Sequence, residues 1–317
     1  MVSKILKTTM HLPDRIQAIC WVQFWAWIGW FPFLFYSTTW VGEVYFRYSN
    51  HPAVAESTDA LGDIGRVGSL SLVVFSIITF AGSVLLPWLV QSPDYEKPGF
   101  TPRPPRSIAP LVNSLHQYKP DLMTAWMISH IIFAGAMSLA PFVRSLKMAT
   151  IIVSICGIPW ALACWAPFAF MGIEINRLTA PNTILANGSS YRRLSNTEND
   201  FASPAPSPTF LRLNHLDRDI DDSADASTGE TAGIYLGILN LFTTLPQFVG
   251  TFISMIVFSL LEPGKHPELH KGSEQGQEGE ATEKSTDGPN AIAVCLFIGA
   301  LSAVGAAYAT ARMKAAR

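Results

Sequence analysis

The amino-acid sequence predicts an all-α membrane protein with six transmembrane helices. Three observations carry that expectation. Apolar residues make up 49% of the 317 residues and charged residues only 15%, with a mean hydropathy of +0.26. A soluble domain carries about 25% charged residues. Six apolar runs, at 16–42, 67–91, 122–143, 148–173, 231–261 and 290–311, each exceed the length of about 20 helical residues that a hydrocarbon core requires. All 22 Lys and Arg and all 24 Asp and Glu lie outside these runs. A soluble bundle would show a polar face along each helix. A charge at the bilayer centre costs at least about 2.5 kcal/mol. Complete segregation of charge is therefore the strongest of the three.

Taken in order, segment 1–15 is polar, and its apolar stretch is too short and too charged for a signal peptide. The first run, within 16–173, is dense in aromatics and contains Trp30, Phe31, Pro32 and Tyr36, then the hydroxyls Ser37, Thr38 and Thr39. Pro32 removes a backbone hydrogen bond in mid-span. Aromatic rings can stack on the apolar face of a sugar while their polar tips donate. The same pattern also fits an aromatic belt at the membrane interface. The third run holds His130, the one His, Lys, Arg, Asp or Glu in any run. An intramembrane histidine is a functional candidate, although one bonded to a backbone carbonyl is the commoner finding. The fourth run contains Pro159 and Pro167, which fit either a broken or flexing helix or a packing helix that tolerates proline.

Residues 174–230 and 262–289 are long polar loops with the low hydrophobicity of disorder. In the first, Arg192, Arg193 and Ser195 form a string that a basophilic kinase could read, although a solvated linker with chance serines is the commoner case, and Asn187-Gly188-Ser189 fits the glycosylation pattern but falls on the expected cytoplasmic side, where it would stay bare. Within the fifth run, which begins the segment 231–311, Gly233 and Gly237 lie four apart and present a flat face for helix packing. Asn240 and Gln247 are seven apart, two turns of helix, and so share a face, with Pro246 beside them. Two uncharged amides on one face suit either a polyol in a cavity or hydrogen bonding between helices. Glu43, Arg66 and Glu174 sit at span ends, where they and His130 are candidates for a proton or ion-pair role.

Orientation follows from alternate sides of the predicted spans. One side carries 15 Lys and Arg and the other 7, or 10 against 7 without the long loop. The positive-inside rule places the first side, with both termini and the tail 312–317, in the cytoplasm.

Several classes are excluded. A net charge of −2 and no basic stripe argue against nucleic acid as a partner. Cys20, Cys156, Cys164 and Cys295 lie in apolar runs with no CxxC pair, so neither a disulfide framework nor a metal site is expected. No catalytic motif occurs, and no carboxylate pair or histidine cluster lies within a span, so neither an enzyme nor a cofactor is expected.

At this point the residues carry a resemblance. Residues 27–46, WIGWFPFLFYSTTWVGEVYF, resemble the seventh helix of the sucrose transporters of the glycoside–proton symporter group, in the major facilitator superfamily. Gly65-Arg66-Val67-Gly68-Ser69-Leu70 is similar to the start of their eighth helix. Gly157-Ile158-Pro159-Trp160-Ala161-Leu162 with Pro167-Phe168-Ala169 is similar to their tenth. Gly233, residues 236–241 and Pro246-Gln247 are similar to their eleventh. The likeness runs through all six spans in order, and the insertion at 174–230 resembles fungal members.

The resemblance implies the second half of a twelve-helix transporter that rocks around a midplane site, with a first half still needed as partner. It implies symport of protons with sucrose or an α-glucoside across a bilayer, the plasma membrane rather than a vacuolar one. The implied sugar contacts are Trp30, Phe31, Tyr36, Thr38, Asn240 and Gln247. Pro32, Pro246, Gly233 and Gly237 would serve packing or gating. Ser37, Thr38 and Thr39 stand where plant members carry acidic residues, so the proton-coupling acid is expected in the other half. The alternative is a membrane sensor or assembly partner that does not transport.

Overall fold

The computed structural model describes residues 12–48, 60–91, 119–186, 221–261 and 290–316. Seven α-helices build six spans: α1 (Asp14–Tyr48), α2 (Ala60–Leu89), α3 (Leu122–Ser138), α4 (Leu146–Ile155), α5 (Gly157–Ala186), α6 (Asp221–Leu261) and α7 (Ala291–Ala315). A short 3₁₀ turn, Ala140–Phe142, ends the third span. Helices α4 and α5 together form the fourth. Six helical stretches are long and apolar enough to cross a membrane, and they coincide with the six predicted runs.

Helix ends extend past the apolar runs. At 1.5 Å per residue, the 35 residues of α1 measure about 52 Å and the 41 of α6 about 61 Å, against a hydrocarbon core of about 30 Å. Helical backbone therefore continues beyond 174 to Ala186 and begins at Asp221, ahead of 230. Asn187, Arg192, Arg193, Ser195 and the loop 262–289 lie outside the described residues.

Pro32 does not break α1, and Pro246 does not break α6. The fourth span is broken near Pro159 and continuous through Pro167. Pro159 has no N–H to give the carbonyl of Ile155, and its ring crowds that carbonyl. Accordingly α4 ends at Ile155, Cys156 forms a turn, and Pro159 falls in the first turn of α5, where proline is tolerated.

Helix α7 packs against α1 and α3, and α1 also carries α2 and α6 along its sides. Backbones of α1 and α7 approach closely at Gly29 and Gly299: a Cβ built on Gly29 would lie 2.6 Å from the Gly299 carbonyl oxygen. Beside that contact, the Ser302 hydroxyl donates to the Trp25 carbonyl. Two apolar clusters fill the core, one toward each end of α1. Trp30, Phe33, Trp40, Phe133 and Met137 centre the first. Ile16, Ile19, Trp126, Phe170, Met171 and Ile238 centre the second.

Polar contacts close one end of the bundle. Glu174 on α5 accepts from Arg15 on α1 and from Arg177, each at 3.2 Å. Lys314 at the end of α7 lies 3.3 Å from Asp121, which precedes α3, and both bond Thr124. The Gln91 N–H donates to the Pro120 carbonyl at 3.0 Å. Thus the starts of α1 and α3 share a side with the ends of α2, α5 and α7, as successive crossings demand. Glu43–Arg47 and Asp63–Arg66, both at 2.6 Å, sit at the other ends of α1 and α2.

Burial is uneven. In the apolar stretches of the first, third, fourth and sixth spans, 56–61% of residues are buried, against 11% in α2 and 22% in α6. These two helices hold one side to the bundle and leave the rest uncovered.

Candidate functional site

Helix α6 has two uncovered flanks of opposite character. Its buried side holds Leu239, Pro246, Gly250 and Val257. On one neighbouring flank, Gly233, Gly237, Asn240, Thr244, Gln247 and Thr251 recur at alternating spacings of four and three, which keeps them on one line of a helix. Asn240, Thr244 and Thr251 are exposed and Gln247 is half-buried. The other flank carries Leu241, Leu245, Phe248 and Phe252, with Phe248 71% exposed. Hydrocarbon suits the second flank. It does not suit the first, because polar groups without partners in lipid cost several kcal/mol, about 2–7 by transfer measurements. The polar flank is built for water, a polar ligand or another protein surface.

Local bonding organises that flank. The hydroxyls of Thr243 and Thr244 both donate to the Asn240 carbonyl, at 2.8 and 2.9 Å. Pro246 leaves the Phe242 carbonyl without its usual helical donor. The side chain of Gln247 lies one turn from Gly250, where a Cβ would be 3.7 Å from Phe31 Cβ and Pro32 Cδ of α1. At Gly250, then, α6 meets Phe31, which belongs to an aromatic line on α1. Trp27 and Phe31 rings are 5.3 Å apart, and Phe31 and Phe35 stack at 5.8 Å. Phe35 is 47% exposed.

Helix α2 carries a polar line of its own. Ser69, Ser76 and Ser83 are seven apart and all exposed, and Ser69 and Ser76 line an open groove with Leu72, Val73, Ile77 and Phe80. Sequence reasoning missed both this serine line and the Thr244–Thr251 extension of the amide line. The signal was a sevenfold recurrence of hydroxyl residues through apolar runs.

The remaining expected residues fall as follows. Phe31 and Tyr36 are half-buried, and Tyr36 meets Phe258 of α6 at 5.5 Å. Thr38 is half-buried, and a Cβ on Gly68 of α2 would lie 2.6 Å from its carbonyl oxygen. Trp30 is a correction: it is 2% exposed, enclosed by Phe33, Phe133 and Trp160, and offers no free ring face to a ligand in this packing. Gly233 and Gly237 pack against no helix of this chain: a Cβ on either would meet nothing within 4 Å among the described residues. Tight glycine contacts occur instead at Gly29, Gly68 and Gly157. Pro32 and Pro246 are buried inside continuous helices.

His130 is 3% exposed, with its ring 5.4 Å from that of Trp126, and its Nε2 has no hydrogen-bond partner among the described residues. It belongs to the core of α3 and not to the open seam. Glu43, Arg66 and Glu174 are all ion-paired at helix ends. Among the described residues, no group of three His, Cys, Asp or Glu could hold a metal.

One carboxylate outside the spans is perturbed. Partial burial raises the Asp121 carboxyl, but hydrogen bonds from Thr124 and Lys314, together with the Lys314 charge, outweigh it and hold the group below its ordinary value.

Fold and seam define a multi-pass, all-α membrane protein with a polar, aromatic-edged face at membrane depth. Within that class the chain is similar to a general alpha-glucoside permease of Schizosaccharomyces pombe, at 26% identity over 94% of this chain and 50% of the relative. It is also similar to a sucrose transport protein of Arabidopsis thaliana, at 28% identity over 56% of this chain and 32% of the relative. The chain thus spans about half the length of the first of these curated relatives, and less of the second. No family model matches it. The two relatives support the resemblance to the sucrose and glycoside transporter family.

Proposed function

We infer that this chain supplies one six-span unit of a secondary sugar transporter that carries sucrose or an α-glucoside. The observation that carries the reading is the seam itself: amides and hydroxyls stand in line on an uncovered flank of α6, a helix that meets Phe31 of α1 at Gly250. Asn240 and Gln247 would bond sugar hydroxyls, and Phe31 with Tyr36 or Phe35 would cover the apolar ring face. The names of the relatives favour sugars over other polyols. A second six-span unit, in the same polypeptide or another, would cover the open sides of α2 and α6. Rocking between the two units would then expose the seam alternately to each side, driven by protons.

The test is uptake of radiolabelled sucrose and maltose in cells lacking their own sugar permeases. The chain is expressed alone and with a second six-span unit. Uptake should need the second unit and should fall by about tenfold or more in Asn240→Leu and Gln247→Leu, the loss of one sugar hydrogen bond being worth about 1.4 kcal/mol per factor of ten. Unchanged uptake in both variants at equal membrane expression would remove these amides from the site. Uptake by the 317 residues alone would refute the need for a second unit. Collapse of the proton gradient should abolish accumulation, and persistence of accumulation would sink the symport reading.

A further inference from the structure

Aromatic rings of α1 and α5 meet at the edge of the core. Ala26, Trp30, Phe33 and Ser37 of α1 form one line of the helix, and all are buried. The adjoining line, Trp27, Phe31, Leu34 and Thr38, is half-buried or exposed throughout. Spacings of four and three keep each set on its own line. The first line therefore faces the core, and the second borders it on a less covered side.

Trp160 of α5 touches both lines. Its ring lies 4.9 Å from that of Trp30, inclined at 67°, and 6.1 Å from that of Trp27, inclined at 70°. These are edge-to-face contacts, which hold an indole in place. They do not enclose it: Trp160 is half-buried, and Cys164, one turn further along α5, is exposed. From Trp27 the rings continue along α1, to Phe31 at 5.3 Å and from there to Phe35 at 5.8 Å. Trp160, Trp27, Phe31 and Phe35 thus form an unbroken row in which every ring keeps some exposure. A pyranose is about the size of one six-membered aromatic ring, so this row is longer than a single sugar ring needs.

Helix α6 passes the row in parallel. Trp21 meets Phe242 at 5.9 Å, Gly250 packs against Phe31 and Pro32, and Tyr36 meets Phe258 at 5.5 Å. Both chains therefore climb together, and Gln247, one turn before Gly250, stands at the depth of Trp27.

We propose that Trp27 and Trp160 form a second sugar-ring subsite, so that the unit holds both rings of a disaccharide. One ring lies against Phe31 and Phe35, the other in the indole corner between α1 and α5. This inference rests on the sugar-transport reading above and brings α5 into the site. An indole suits the apolar face of a pyranose, and an amide at the same depth suits its hydroxyls. A two-ring sugar gains from the corner, and a one-ring sugar does not.

The experiment uses the uptake assay described above, with the second six-span unit present. KM is measured for sucrose and maltose, and methyl α-glucoside serves as a one-ring competitor of sucrose uptake. Trp160→Leu should raise KM for both disaccharides by about tenfold, the scale of one lost aromatic contact. The inhibition constant of methyl α-glucoside should stay within about twofold. Trp160→Phe, which keeps a ring, should restore most of the disaccharide affinity. Trp160 also touches core rings, so lost folding would lower the maximal rate, whereas the subsite is read from KM. Should Trp160→Leu not reach the membrane, Trp27→Leu makes the same test from α1. A selective rise for the disaccharides, recovered by phenylalanine, establishes the subsite. Unchanged constants overturn it, as does an equal rise for one-ring and two-ring sugars, or a native unit with which methyl α-glucoside does not compete. A native unit that takes up neither disaccharide would instead end the sugar reading itself.

Discussion

Gly29 and Gly233 are the same residue type in the same kind of helix, yet the bundle uses them differently. At Gly29 a methyl group would press into the Gly299 carbonyl at 2.6 Å, so Gly29→Ala must push α7 away from α1. Overpacking of this kind costs about 1–3 kcal/mol, and detergent-solubilised protein should show a clearly lowered Tm. At Gly233 and Gly237 a methyl meets nothing. Alanine is about 1 kcal/mol better than glycine within a helix, so Gly237→Ala should hold or raise Tm. A stabilised Gly29→Ala would mean the α1–α7 approach is looser than described. Asp121 gives a second test at this scale. Its carboxyl is held below its ordinary value by Thr124 and Lys314, so the ionised form is favoured in the folded state. A depressed carboxyl stabilises above its unfolded pKa of about 3.9 and loses that contribution as pH falls through the folded value. The Tm gap between the native chain and Asp121→Asn should therefore be constant near neutrality and close below about pH 4. A gap that widens on acidification would contradict this assignment.

At the scale of elements, α6 matters because it carries two uncovered flanks. Lining a hydrated cavity with one and facing lipid with the other predicts a difference in chemistry between residues only a few positions apart. Thr244→Cys and Thr251→Cys should react with a charged, membrane-impermeant thiol reagent in the Cys164→Ala background. Phe248→Cys and Phe252→Cys should not, since thiolates form poorly in lipid. Mass spectrometry of the labelled protein reads the outcome, and equal labelling of all four would remove the distinction between flanks. The broken fourth span belongs to this scale too. Its position follows from Pro159 and the carbonyl four residues before it.

At the scale of the molecule, the uneven burial of the spans sets the expectation for assembly. Four spans bury more than half of their apolar stretch, and α2 and α6 bury 11% and 22%. Lipid can cover the apolar flanks, but the amide and serine lines require something polar opposite them. In nanodiscs, Trp30→Ala should unfold the unit at markedly lower temperature, because deleting a fully buried tryptophan costs about 3–5 kcal/mol. Phe248→Ala, on the lipid flank, should have little effect on Tm. Similar losses from both would show that the outer flank of α6 is packed in the folded unit.

The sequence by itself determined where the chain crosses a membrane. Exclusion of all 46 charged residues from six runs is a solvation effect, so it is written residue by residue and needs no partner to be read. It also placed Asn240 and Gln247 on one face, because helix periodicity is a local property, but it left open whether Pro159 or Pro167 breaks the fourth span. Which aromatics stay free was decided only in the tertiary structure. Trp30 and Phe31 are adjacent and equally apolar, yet one is enclosed by Phe133 and Trp160 while the other borders the seam. Tertiary packing likewise selected Gly29, Gly68 and Gly157 for close approach and left Gly233 and Gly237 open. The physical reason is that lipid and protein interior are equally apolar. In a membrane chain, hydropathy marks what is inside the bilayer, and only the packing of helices decides what faces what.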